Sequence, residues 1–371
     1  MSEQYFHRVT SETPTRFWVN NPTLEDADRA LAAGAISCTT NPTYCAHMLK
    51  AKSESNYAFS VIDRVIQQTS DDRAAAELVM QQLVKRVMDK FLPLYERKPG
   101  LEGFVSIQGD PHRDEEFAFI VEEALRFRKL GKNFITKIPV TQAGLKAIEI
   151  LLGENMPIVA TEVFAIAQAE RVCELYCRVS EKTGYRPPLY VTHITGIFDE
   201  YLSNHVERTG TEISPEALYQ AGCAVARKEY HILQERRYPV IMLGGGARGV
   251  HHFTEMVGGA VHVTINWSTA QELIEADPPV TPRMDAPAPQ QVIDELLAKL
   301  PDFRKAYLDD GLATEEFKDF GPLQYFRGMF VKGWDALVRS IQERRSASVP
   351  QCHSESSEDS RSALRRAGIG K

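Results

Sequence analysis

Lys137 stands inside the apolar run FITKIPV, with Ile135, Ile138 and Val140 around it. Walls of that kind disfavour an ammonium by desolvation, so the pKa falls and a neutral amine becomes available to attack a carbonyl and form a Schiff base. The same lysine also fits a structural part, snorkelling to a strand end or pairing with a carboxylate. Spacing alone leaves both open. Gly244, Gly245 and Gly246, followed by Arg248, form a second group. A glycine turn opening a helix, with a guanidinium beside it, can cradle a phosphate, although glycines also serve ordinary strand-to-helix turns. His251 and His252 follow directly. Neighbours on a helix point about 100° apart, which favours solvent or phosphate contact over a shared metal. No His, Asp and Glu group has zinc-ligand spacing, so no metal or other cofactor is expected.

These residues need a scaffold, and the pattern supplies one. Short β-branched runs are expected as strands at Phe17–Asn20, Ile36–Thr40, Gly103–Gln108, Phe134–Pro139, Ile158–Phe164, Leu189–Ile194, Val240–Leu243 and His262–Asn266. Helical patterns lie between them, at Leu24–Ala33, Ala74–Lys90, Asp114–Lys129, Gln142–Leu152, Ile166–Val179 and Pro215–Glu235. Alternation of this kind argues for parallel β/α units, and eight strands for a closed (β/α)8 TIM barrel. Catalytic groups then belong at the C-terminal strand ends. The prolines of Asp277–Gln291 mark a surface linker, and Val292–Leu300 and Glu315–Arg344 read as extra helices. In the second of these, Phe317, Phe320, Leu323, Phe326, Phe330, Trp334 and Leu337 recur at helical spacing as a seam that caps the barrel. One barrel domain with its helices, residues 1–344, is therefore expected. Residues 345–371, rich in Ser and charge, are expected as a disordered tail.

Composition narrows the function. The chain has 371 residues, 43% hydrophobic and 25% charged, with a net charge of −7. That length can bury one large core, and the acidic balance gives no footprint for nucleic acid. The six cysteines, Cys38, Cys45, Cys173, Cys177, Cys223 and Cys352, form no CxxC pair and read as reduced thiols. No apolar run reaches membrane-spanning length, and the polar N-terminus is unlike a signal peptide. A cytoplasmic enzyme acting on a small molecule is expected, and a homodimer is compatible with it.

The segments CTTNPTYCAHML, TKIPVTQAGLKAI, TEVFAIAQA and IMLGGGARGV occur in that order at barrel spacing. Together they resemble the transaldolase family, whose relatives include the fructose-6-phosphate aldolases. The similarity runs from about Phe17 to about Leu273. It implies class I aldolase chemistry on a sugar or sugar phosphate, a transferase of carbohydrate metabolism and the pentose phosphate pathway. It places the Schiff-base lysine at Lys137, a substrate-binding amide at Asn41, a water-holding hydroxyl at Thr161 and a phosphate-binding guanidinium at Arg248, with Gly246 in the same turn.

Other positions depart from the family pattern. The first strand ends in Asn20, or Asn21 with a one-residue slip, where the family has a proton-relaying Asp. Gln108 stands for a Glu that works through water, as in the aldolase relatives. Val159 replaces an Asn. On the sixth strand Val191 and Gly196 fall where a Ser and a second phosphate-binding Arg are expected, and His193 falls at an aromatic position. Deleting such groups costs roughly 3–4 kcal/mol each in rate. The ordinary exchange would be crippled unless the site is refitted, with His193 as the titrating group. The resemblance thus implies three-carbon ketol transfer between sugars through Lys137 on an atypical substrate. A fructose-6-phosphate-aldolase-like lyase and a catalytically weak or non-catalytic homologue remain as alternatives.

Overall fold

A computed structural model describes residues 4–348 of the chain. Its eight strands are β1 Arg16–Asn20, β2 Ser37–Thr39, β3 Val105–Ile107, β4 Phe134–Pro139, β5 Ile158–Val163, β6 Leu189–Ile194, β7 Ile241–Gly245 and β8 Val261–Asn266. They close in chain order into a parallel barrel. The seam joins β1 to β8, with Phe17 opposite Val263 and Asn20 opposite Asn266. With helices following the strands, this is a (β/α)8 TIM barrel, and each strand lies within two residues of its expected bounds.

Side-chain alternation explains why the strands curl. Trp18, Ile36, Phe104, Ile135, Val159, Tyr190 and Leu243, one from each of seven strand segments, fill the barrel interior as a separate apolar layer. In the eighth place His262 accepts a hydrogen bond from the Trp18 indole at 2.9 Å. The alternate residues, such as Phe17, Phe134, Ile158 and Val191, pack outward into the main core under the helices. Burial of each such side chain contributes about 1.5–3 kcal/mol. The layer plugs the lower barrel, so chemistry is confined to the upper end.

The helix Gln142–Gly153 fixes the strand that carries Lys137. Thr141 caps it by accepting from the Gly144 N–H at 3.1 Å. A Cβ on Gly144 would lie 1.8 Å from the Pro139 carbonyl oxygen, so only glycine lets the helix turn back this tightly on β4. The Thr and Gly of the TKIPVTQAG segment are thereby explained as geometry.

The C-terminal helix differs from its expected span. Thr314–Asp319 is a 3-10 turn, Phe320 is extended, and the α-helix runs Gly321–Ser348. Pro322 lies in its first turn, where a missing N–H costs nothing, and it prevents a continuous helix through Phe320. The aromatic seam is buried as expected. Arg327 pins this helix over the barrel, pairing with Asp114 at 2.8 Å and donating to the Pro111 carbonyl at 2.7 Å. Since the helix extends to Ser348, the boundary after residue 344 falls within it. The remainder of the expected tail lies outside the described residues. Among the described residues no helix is long and apolar enough to cross a membrane.

Candidate active site

The upper strand ends surround a cavity of about 180 Å³, roofed by Phe326, Met329 and Phe330 of the C-terminal helix. Drug-sized pockets span about 300–1,000 Å³, so this one suits a small molecule. Lys137 enters from β4, almost wholly buried. Its Nζ lies 3.5 Å from the Thr40 carbonyl oxygen and 5.7 Å from the centre of the Phe330 ring. Burial pulls its pKa down to about 8, with the nearby Glu162 charge acting in the opposite sense. A neutral amine is therefore within reach at ordinary pH.

The walls carry amides and hydroxyls. Asn20, Asn21, Asn41 and Asn266 line the cavity with Thr39, Thr161, Thr192 and Thr264. Asn20 donates to Asn266 Oδ1 at 2.8 Å and accepts from the Thr39 hydroxyl at 2.9 Å. Asn41 is held by Thr43, which donates to its Oδ1 from backbone and hydroxyl at 3.0 and 2.6 Å. Both Asn20 and Asn21 face the cavity, so the one-residue ambiguity of the first strand does not change the chemistry offered there.

Glu162 is the residue that sequence reasoning missed. It sits at φ 60° in β5, where the register with β6 shifts between Ala160 and Val163. A left-handed backbone at a non-glycine residue costs about 1–3 kcal/mol. Strict alternation would send Glu162 outward, because Thr161 faces the cavity. The bulge instead turns Glu162 inward as well, where its fully buried carboxylate accepts from the Gln108 amide at 2.8 Å. Burial pushes its pKa up to about 8, helped by the Asp114 charge and opposed by the Gln108 hydrogen bond, Lys137 and Arg327. The available signal was a carboxylate in the apolar run IVATEVF. The carboxylate that Gln108 lacks is thus present beside it, on another strand.

The sixth strand corrects the sequence reading by one position. Thr192, Ile194 and Ile197 line the cavity, whereas Val191 packs into the helical core. His193 does not reach the mouth: it is fully buried on the outer side, with Nδ1 2.8 Å from Glu229 Oε2 on the helix Pro215–Glu235. Shifting the correspondence by one gives Thr192 a hydroxyl where Val191 had none, and sets Ile194 where His193 was assigned. Ile197 then occupies the place assigned to Gly196, and a second guanidinium is still lacking. Gly196 itself is required by packing, since a Cβ there would lie 2.5 Å from the Arg248 backbone nitrogen.

Arg248 lines the cavity beside Gly245 and Gly246. Its guanidinium is paired through Nε with Glu200, which also accepts from the Tyr325 hydroxyl. Gly246 has φ 68°, and a Cβ there would meet Ile194 at 2.6 Å. Behind this turn, the two histidine rings do not diverge as expected. They lie 3.8 Å apart in a helix of only four residues, His251–Thr254. His252 accepts from the Arg248 N–H at 3.2 Å and bonds Asp199 at 2.8 Å. Ligand atoms of Asp199, His251 and His252 all fall within 4.8 Å of one another, so the geometric objection to a shared ion does not hold there.

The protein is thus a closed parallel (β/α)8 barrel with a buried lysine at its C-terminal mouth, facing a wall of amides and hydroxyls. Residues 17–321 match the family described as Transaldolase/Fructose-6-phosphate aldolase, and the chain belongs to that family. The match extends past Leu273, through the linker and into the C-terminal helices. Among curated relatives, the chain is similar to a protein named transaldolase from Mycobacterium tuberculosis (strain ATCC 25618 / H37Rv). The identity is 28% over 208 residues, covering 54% of this chain and 55% of that protein. A second, named transaldolase from Mycolicibacterium paratuberculosis, is 28% identical over 225 residues, covering 57% and 59%. The chain therefore spans little more than half the length of the curated relatives it matches.

Proposed function

We propose that the protein transfers a three-carbon ketol unit between sugars, at least one of them a phosphate ester, through a Schiff base on Lys137. The observation that carries this reading is a buried lysine with its pKa near 8, facing a small cavity lined by sugar-compatible amides and hydroxyls. The neutral amine attacks the ketose carbonyl and water departs. The resulting iminium accepts the electrons of the adjacent C–C bond as it breaks, releasing an aldehyde and leaving an enamine. Attack of the enamine on an acceptor aldehyde completes the transfer. Asn20 and Asn41 hold sugar hydroxyls, Thr161 and Gln108 order water, and Arg248 binds phosphate once released from Glu200. The chemistry asks for no cofactor. The apolar wall of Ile194 and Ile197 supports an atypical substrate whose end at that wall carries less charge. A cytoplasmic setting, within sugar metabolism of the pentose phosphate type, accords with the five free thiols among the described residues.

A second reading, aldol cleavage without an acceptor, is favoured by Gln108, the residue found in the fructose-6-phosphate aldolase relatives. Borohydride trapping with ketoses, followed by mass spectrometry, tests both. Adduct on the peptide containing Lys137, lost in Lys137→Met, is the expected result; undiminished labelling of that variant refutes it. Release of three-carbon product without an acceptor then separates lyase from transferase.

A further inference from the structure

Glu162 spends a strained backbone and a fully buried carboxylate on a single protein hydrogen bond, from Gln108. Its second oxygen, Oε2, has no hydrogen-bond partner among the described residues, and neither has Gln108 Oε1 or the Thr161 hydroxyl. Buried polar groups left open in this way are uncommon and ask for a reason. Thr161 is adjacent in the chain and lines the cavity that holds Lys137. Of these three open polar groups, Thr161 is the one that lies between the Glu162 backbone and the cavity of the amine. The charged groups around Glu162 are Lys137 on β4, Asp114 after β3, and Arg327 on the roofing helix, which is itself paired with Asp114.

Resting on the Schiff-base reading above, we propose that Glu162 is the proton reservoir of that reaction, supplying through the Thr161 hydroxyl the proton that expels the carbinolamine oxygen. The neutral Lys137 amine adds to the carbonyl, and one nitrogen proton moves to the new alkoxide. The Glu162 carboxylic acid then gives its proton to that hydroxyl as the C–O bond breaks. Water leaves, and an iminium and a carboxylate remain. Amine plus acid becomes iminium plus carboxylate, so no net charge is created inside the barrel. Hydrolysis runs the same steps backward.

Lys137 and Glu162 titrate as a coupled pair, and the reaction needs the pair to hold one acid proton while the amine is neutral. With both groups near pH 8, adduct formation follows a bell-shaped pH profile centred near pH 8. The acidic limb marks loss of the neutral amine, and the alkaline limb marks loss of the acid.

The test measures the rate of borohydride-trapped adduct formation with dihydroxyacetone against pH, by intact mass. Glu162→Gln should slow adduct formation about 100-fold, the scale of general acid–base catalysis, and remove the alkaline limb. The adduct should still reach Lys137 at long times. Moving the carboxylate to its hydrogen-bond partner at the end of β3, in the double variant Gln108→Glu with Glu162→Gln, should recover at least tenfold of the rate and restore the alkaline limb. That variant also decides the matter if Glu162→Gln alone folds poorly. An alkaline limb that survives in Glu162→Gln, or a swapped variant that folds but shows none, overturns the proposal. No adduct in the unaltered protein at any time would refute the Schiff-base reading itself, a separate result.

Discussion

Arg248 and Glu200 are ion-paired at the mouth of the barrel, and Tyr325 of the roofing helix holds the same carboxylate. An anion entering beside Gly246 therefore competes with Glu200 for the guanidinium. Releasing that competition should strengthen phosphate binding. Arg248→Ala should weaken phosphorylated ketoses by about 10–100-fold, the scale of a charge-assisted hydrogen bond, and leave unphosphorylated analogues within about twofold. Glu200→Gln should tighten the phosphorylated ketoses instead. Competition assays with inorganic phosphate read both. Equal losses for both substrate types in Arg248→Ala would assign Arg248 to structure.

His193 faces Glu229, not the cavity. His193→Phe strips a buried carboxylate of its partner while its other oxygen already lacks one. The cost should be about 1–3 kcal/mol of stability, read as a lower denaturation midpoint, with turnover unchanged within about twofold. A collapse of turnover at unchanged stability would restore His193 to the mechanism.

Most of the scaffold was legible because an eight-fold alternation of apolar runs and helical patterns has few other solutions. Lys137 stood out because an ammonium in an apolar strand is costly, but only the resemblance carried by TKIPVTQAGLKAI favoured the reactive reading over a structural one. The rest failed at the level of facing. A strand has period two, so a one-residue slip on β6 exchanged Val191 and His193 for Thr192 and Ile194. Glu162 was hidden differently: only a bulge with φ 60° brings two successive residues to one face, and propensity does not encode that. The facing histidines escaped because His251–Thr254 is one turn, too short to impose the regular helical divergence.

Phe330 supplies part of the apolar roof over the Lys137 amine, its ring centre 5.7 Å from Nζ. Phe330→Ala should admit water and weaken desolvation, the largest cause of the lowered pKa, which then rises from about 8 toward 10.5. Below that range the neutral fraction falls about tenfold per unit of rise. The acidic limb of adduct formation should therefore move to higher pH, with the rate at pH 7 reduced accordingly. A limb that stays in place would show that Phe330 does not set the desolvation of Lys137.

Glu162 should lower the stability of the fold at the pH where it works. Its folded-state pKa is raised from 4.5 to about 8, so between those values the folded protein holds a proton that the unfolded chain has released. Stability then falls as pH rises through this window, because the folded state binds more protons. Above about 8 the buried carboxylate is charged, and the full penalty stands. Glu162→Gln removes that dependence while preserving an acceptor for Gln108. The variant should match the parent most closely near pH 4.5 and exceed it by on the order of 1–4 kcal/mol at pH 8.5, the range for replacing buried charge by neutral groups. Chemical denaturation at a series of pH values measures the difference. A variant that is less stable than the parent at pH 8.5 would mean that the ionised carboxylate is satisfied by Lys137 or Arg327, and that Glu162 is held there for the fold.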